Sequence, residues 1–254
     1  MHIRQFFPKS LPSRAMLAGV ALFLTACSGP DGTVEIYDPY EADNREVHEV
    51  NRAIDNAFVR PVSNTYGSVV PSPVRTGISN FVSNLSLPGV VVNDLLQLRI
   101  EDALNNSGRF LFNSTIGIGG ILDPSTAIGI YERKSDFGET MARWGLREGA
   151  YMELPLLGPS TERDAIGKVV DFALNPTRVL LPSDLRTANT VATIAAGANS
   201  RYRFSDTIDS ILYDSADSYA QARLYYLQNR RFQLGQGTTE DADYEDLYED
   251  PYAE

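Results

Sequence analysis

A single cysteine, Cys27, and two histidines are all that this sequence of 254 residues offers toward disulfide or soft-metal chemistry. One cysteine closes no internal disulfide. A zinc site with His48 as its only histidine past the N-terminal segment would need carboxylates for nearly every ligand. No metal and no cofactor are expected. Uninterrupted apolar runs of about 20 residues, the length that crosses a bilayer as a helix, are missing as well. The uncharged stretch Thr76–Asn93 is interrupted by Pro88-Gly89 and carries several Ser and Asn residues. There is no Gly-x-Ser-x-Gly elbow, and no glycine-rich loop is followed by Lys-Ser/Thr. Leu157-Gly158-Pro159-Ser160 lacks the second glycine, and Glu162 and Asp164 fit first-turn helix charges better than an acid/base pair. Basic charge is also short: 22 Lys and Arg stand against 33 Asp and Glu, a net −11. Nucleic acid is therefore not an expected partner. The sequence offers no catalytic residues, and the chain is expected not to be an enzyme.

What is present begins with Leu24-Thr25-Ala26-Cys27, a lipobox. Three basic residues (Arg4, Lys9, Arg14) precede an apolar run from Ala15 to Leu24, the layout of a secretory signal too short to span a bilayer. A membrane-anchoring helix or an ordinary signal with an incidental cysteine are the alternatives. On the lipoprotein reading, residues 1–26 are removed and Cys27 carries the acyl chains, which together tether a protein stably where one chain holds it only marginally. Ser28 rather than Asp follows the cysteine, so the expected address is the periplasmic face of an outer membrane. Loss of the signal moves the net charge from −11 to −14, because it takes three basic residues and no acidic one. Residues 27–37 form a flexible leader, and residues 235–254, with eight acids and no Lys or Arg, a disordered tail.

Residues 38–234 are expected to fold as one mainly α domain. Asp38-Pro39-Tyr40-Glu41 has the pattern of a helix start, with Val47, Val50, Ile54 and Phe58 at helical spacing up to Pro61. A second helix opens at Ser72-Pro73 and is expected to break at Pro88-Gly89, with helical character resuming over 90–98 and 101–115. Residues 136–160, punctuated by Gly and Pro, predict irregular structure. Helices are expected over 162–174, 183–200 and 205–232, the last being the longest. Between Arg109 and Asp123 lie only uncharged residues, rich in Phe, Leu and Ile. As a helix they reach about 20 Å, enough for one leaflet of a hydrocarbon core about 30 Å thick. Immersion in a leaflet and ordinary core packing both satisfy that pattern.

A longer series of motifs carries a resemblance. Asn44-Arg45, Arg60-Pro61-Val62, Val70-Pro71-x-Pro73-Val74-Arg75 and Ser79-Asn80-Phe81 are followed by Gly108-Arg109-Phe110-Leu111-x-Asn113-Ser114-Thr115. Asp136-Phe137-Gly138, Leu154-Pro155-Leu156-Leu157-Gly158-Pro159-Ser160-Thr161 and Asp217-Ser218-Tyr219 complete the order. Together they resemble the MlaA/VacJ family of outer-membrane lipoproteins. Ala42-Asp43 stand where that family usually has Gly-Phe. The resemblance implies a helical, ring-shaped domain lying in the inner leaflet of the outer membrane beside a trimeric porin. It implies removal of mislocalised outer-membrane phospholipids from the outer leaflet through a polar channel to a periplasmic lipid-binding carrier, which maintains lipid asymmetry. A structural, porin-associated envelope lipoprotein without transport activity is the alternative. Two site expectations follow. Gly117, Gly119, Gly120, Asp123, Pro124 and Gly129 form a gating hairpin, with a static packing turn as its alternative. Asn80, Asn84, Asn93 and Asn113 line the channel, with buried hydrogen bonding as theirs.

Overall fold

A computed structural model describes residues 36–177 and 181–235. The lipobox Leu24–Cys27, the signal, most of the leader and the acidic tail from residue 236 lie outside the described residues. Ten helices and one small hairpin follow in order among the described residues. They are α1 (Glu41–Ile54), α2 (Arg60–Val69), α3 (Ser72–Leu96), α4 (Ile100–Thr115), α5 (Pro124–Ala127) and α6 (Phe137–Arg143), then β1 (Tyr151–Leu154) and β2 (Gly158–Thr161). The remaining helices are α7 (Glu162–Leu174), α8 (Ser183–Arg203), α9 (Ser205–Asp209) and α10 (Ser218–Gln233). The strands pair antiparallel, Tyr151 opposite Thr161 and Leu154 opposite Gly158. The chain is mainly α, as its periodicity predicts.

Several boundaries differ from expectation, each for a physical reason. Asp38 does not cap α1, which starts at Glu41. Its carboxylate is taken by the Asn44 side chain at 2.9 Å, the Tyr219 hydroxyl and Arg223, a long-range set that outcompetes a local cap. Pro61 does not end the first helix. A π-helical turn, Asp55–Val59, joins α1 to α2, and Pro61 sits in the first turn of α2, where the hydrogen-bond register is already shifting. Nor does Pro88 break α3, which runs 25 residues through it and is the longest described helix. An interior proline costs about 3 kcal/mol or more, offset by the packing of α3 along α4 on one side and α8 on another. Residues 136–160 hold α6, started by Asp136 accepting from Glu139 N at 2.8 Å, and the β1–β2 hairpin. Strands of four residues are too short to show alternation. The expected helix 205–232 is three pieces: α9, a second π-helical turn (Ser210–Asp214), and α10 restarting at the Asp217 cap.

The packing is inverted relative to a water-soluble domain. Buried polar and charged residues outnumber buried hydrophobic ones, while many Leu, Ile, Val and Phe side chains are exposed. Helix α4 makes the pattern plain. Asp102, Asn106, Arg109 and Asn113, at helical intervals, form its buried stripe, and Ile100, Leu104 and Leu111 lie on its exposed face. The buried stripe draws its partners from α3, the α3–α4 turn and the α4–α6 connection. Asn106 donates to Asp94 Oδ2 and to Arg133 O, both at 2.8 Å, and Asp102 takes Arg99 and Arg133. The one compact apolar cluster among the described residues is Tyr151, Tyr219 and Leu227, with Ile36 and Tyr226 against it. Among the described residues no helix is long and apolar enough to cross a membrane.

Candidate functional site: two adjoining cavities and a glycine-rich turn

Two π-helical turns face each other across a cavity of about 590 Å³. Its walls are mostly aliphatic and aromatic: Ile54 and Val59, Leu157 from the hairpin loop, Ile211 and Leu212, and Tyr225 of α10. The turns are fastened by a buried ionic lock. Arg201 of α8 donates to Asp55 through Nε at 2.9 Å and Nη2 at 2.8 Å, and to Asp209 at 2.6 Å; Arg60 reaches Asp209 at 2.6 Å. Tyr213 donates its hydroxyl to Asp55 at 2.7 Å. Burial pushes the Asp55 carboxyl up, but the Arg201 and Tyr213 bonds outweigh it and hold it below the ordinary carboxylate range. Burial and the Asp55 bond push the Tyr213 hydroxyl up to about 12.

Polar groups form the cavity's edge. His48 and Glu153 line it, with His48 Nδ1 3.4 Å from Glu153 Oε1 and Nε2 3.0 Å from Ser218 Oγ. Sequence spacing carries no sign of this juxtaposition, since the three residues come from α1, β1 and α10. Glu153 is held by Asn51 at 3.3 Å and the Tyr151 hydroxyl at 2.6 Å, and the His48 ring packs edge-on to Tyr219.

A second cavity of about 170 Å³ shares Tyr226, Arg230 and Gln233 with the first and is otherwise lined by Asp136, Asp164, Lys168 and Asp171. Both terminal nitrogens of Arg230 are engaged, with Asp136 at 2.7 and 2.8 Å and Asp164 at 2.9 Å. Burial raises the Asp171 carboxyl above its usual range even though Phe137 N and Asn93 donate to it. Desolvation lowers the Lys168 ammonium. Gly138 and Gly167 let α6 and α7 approach at this point: a Cβ on Gly167 would stand 2.6 Å from Gly138 N. Among the described residues no group of His, Cys, Asp and Glu side chains is arranged to hold a metal ion.

The candidate gating segment, Gly117 to Gly129, is a run of turns leading into α5 rather than a pair of strands. Its two halves differ. Asp123 caps α5 through Thr126 N at 3.2 Å, and takes Arg109 at 2.6 Å and Asn113 at 3.0 Å. Burial opposes ionisation of Asp123, but the Thr126 and Arg109 bonds prevail and lower its pKa. Pro124 is the first residue of α5. Gly120, at φ +91°, lies against α3, where an added Cβ would sit 2.6 Å from the Asn84 side chain. Gly117 is equally confined, whereas Gly119 and Gly129 meet open space at positive φ. Between Gly117 and Gly119, Ile118, a β-branched residue at φ +55°, is held in a conformation that costs it energy and is exposed.

None of the four candidate channel asparagines lines either cavity. Asn84 is buried and donates to Ser114 Oγ at 2.9 Å; Asn93 is buried and donates to Asp171 at 2.7 Å; Asn113 is buried between Asp123 and Ser125 N. Asn80 is half-buried and donates to Ile121 O at 3.2 Å. They are ties between helices and to the glycine-rich turn. The cavities are lined instead mainly by residues of α1, α7, α10, the β1–β2 hairpin and the π-helical turns, positions whose convergence depends on the tertiary fold.

Comparison with known proteins agrees with this architecture. The sequence pattern of the MlaA lipoprotein family matches residues 36–233. An uncharacterized protein of Rickettsia conorii is 32% identical over 197 residues, 77% of each chain. The intermembrane phospholipid transport system lipoprotein MlaA of Escherichia coli K12 is 30% identical over 222 residues, 86% of each chain. A solved structure from work on the structural basis for maintenance of bacterial outer membrane lipid asymmetry superposes with a TM-score of 0.67 at 31% identity, covering 78% of this chain and 98% of that one. With the family pattern spanning residues 36–233 and a relative 30% identical over 86% of each chain, the chain belongs to the MlaA lipoprotein family.

Proposed function

We propose that this chain is an outer-membrane lipoprotein, anchored through acylated Cys27 after loss of residues 1–26, that removes mislocalised phospholipids from the outer leaflet. It passes them to a periplasmic lipid-binding carrier and so maintains lipid asymmetry; no bond is made or broken. The body lies as a ring in the periplasmic leaflet beside a trimeric porin. The observation that carries this reading is the inverted α4, which offers Leu104 and Leu111 outward and buries Asp102, Asn106, Arg109 and Asn113. In water that arrangement wastes apolar surface; against acyl chains it is the stable one. A polar route through the interior lets a headgroup descend without entering hydrocarbon, where an unpartnered polar group costs several kcal/mol.

On this reading Asn84, Asn93 and Asn113 hold the helices around the channel, and Asn80 borders it next to the glycine-rich turn. The gate is the exposed tip around Ile118 and Gly119, flexing on a base pinned by Asp123. The test is outer-leaflet phospholipid in cells lacking the protein, with rescue by the wild type or by Cys27→Ala. Accumulation reversed by the wild type alone supports transport from a tethered position. No accumulation, with porin lost or the envelope weakened, supports the structural alternative.

A further inference from the structure

The geometry points to an internal lipid site, resting on the transport reading above: one acyl chain in the apolar cavity, and the lipid phosphate on Lys168 in the charged cavity beside it. The two cavities share a wall, Tyr226, Arg230 and Gln233 of α10, and their chemistry divides as an amphiphile does. The larger is lined by Ile54, Val59, Leu157, Ile211 and Leu212 and holds about 590 Å³, inside the range of about 300–1,000 Å³ typical of small-molecule pockets. The smaller holds about 170 Å³ among charged groups, room for a headgroup and not for a second chain.

Charge accounting within the small cavity selects the contact. Arg230 is shared by Asp136 and Asp164, and Asp171 already accepts from Phe137 N at 3.0 Å and Asn93 at 2.7 Å. Lys168 is different. Its ammonium stands in the field of Asp164 and Asp136, but the hydrogen bond it makes is to a neutral hydroxyl, Ser160 Oγ at 3.0 Å, and the residue stays open to solvent. A phosphodiester is the ligand that completes it, because a charge-assisted bond to an anion is stronger than the bond to a hydroxyl that it supplements. With three carboxylates (Asp136, Asp164, Asp171) against two cations (Lys168, Arg230) in its lining, the small cavity suits a zwitterionic phosphoethanolamine headgroup better than an anionic one. The hydrophobic edge at Leu156 and Leu157, both exposed on the hairpin loop, gives the chain an apolar entry.

The test uses the purified full-length protein, stripped of bound lipid and held in detergent micelles, with 1-palmitoyl lysophosphatidylethanolamine as probe and native mass spectrometry with titration as readout. One equivalent is expected per chain, with weaker uptake of the phosphatidylglycerol analogue. Lys168→Gln weakens uptake at least about tenfold, equivalent to about 1.4 kcal/mol, while Lys168→Arg retains it. Ile211→Trp fills the apolar cavity and abolishes uptake, and Leu157→Trp, at an exposed position, does the same without a core change. No stoichiometric uptake, or uptake indifferent to both Lys168→Gln and Leu157→Trp, overturns the site. If cells still clear outer-leaflet phospholipid in that event, the internal site falls and transport stands. Full uptake with no effect of deletion in cells does the opposite: the lipid site stands and transport falls.

Discussion

The exposed stripe of α4 makes a quantitative prediction. Leu104 is 69% exposed and Leu111 is 62% exposed, so about two-thirds of each side chain remains to be transferred from water to lipid. Full burial of a leucine side chain contributes about 1.5–3 kcal/mol, which leaves roughly 1–2 kcal/mol per residue and about 2–4 kcal/mol for the pair. Replacing both with serine should therefore weaken partitioning of a non-acylated Cys27→Ala protein onto phospholipid vesicles by about 30-fold to several hundredfold. The fold itself should not respond, because neither side chain is in the interior and surface substitutions usually shift stability by less than about 0.5 kcal/mol. Vesicle flotation measures the first quantity and urea unfolding in detergent the second. Unchanged flotation in the double mutant would refute the lipid-facing assignment of α4, and a lost fold would show that the stripe is core.

Other consequences concern the interior. Asn106→Ala removes three bonds at a buried position, one to Asp94 and two to the Arg133 backbone; a loss of about 2–4 kcal/mol is expected in denaturant unfolding. Arg201→Ala strands the buried Asp55 and should cost about 3–5 kcal/mol, with the cavity between the π-helical turns loosened as judged by hydrogen exchange. Asp55, Asp102, Asp123 and Asp136 all have folded pKa values below their ordinary range, so the unfolded chain binds their protons first. Their stabilisation is present above the unfolded carboxylate value near 3.9 and is lost as pH falls through the lower folded values, so an unfolding series from pH 7 to 2 should decline below about pH 4. Asp94 has the opposite sign: burial raises it, its stabilisation is full below about pH 4 and lost as pH rises through the folded value, and Asp94→Asn should raise Tm at pH 7. An Asn80→Cys/Ile121→Cys disulfide, bridging the bond from Asn80 to Ile121 O, should stop clearance of outer-leaflet phospholipid until it is reduced; clearance untouched by oxidation would remove the gate.

Much of the helical frame was legible in the sequence because periodicity and caps are local signals. The opening of α3 at Ser72 and the span of α7 follow from them. Pro61 and Pro88 misled for one reason: proline penalises a helix locally, and tertiary packing or a π-helical turn absorbs the penalty. The asparagines on α3 and α4 stood out as polar groups on apolar helices, but sequence cannot tell a channel wall from an interhelical tie. Nor is the convergence of Lys168, Asp171 and Arg230 visible in one dimension, since α7 and α10 are brought together only by the fold. The inverted surface was foreshadowed by the uncharged run after Arg109; its meaning needed burial, which shows the apolar face of α4 outside and the polar face within.

Depth in the membrane tests the central claim most directly. With Cys27 acylated, a single introduced cysteine is the only free thiol, so a fluorophore at Leu111→Cys or at Glu49→Cys reports one place each. In acylated protein reconstituted into vesicles, spin labels on lipid acyl chains of the same leaflet should quench the probe at 111 strongly and the probe at 49 weakly. Labels confined to the opposite leaflet should leave both bright. Equal quenching at the two sites, or a probe at 111 that no lipid label reaches, would contradict a body seated in one leaflet with its apolar face in the acyl chains.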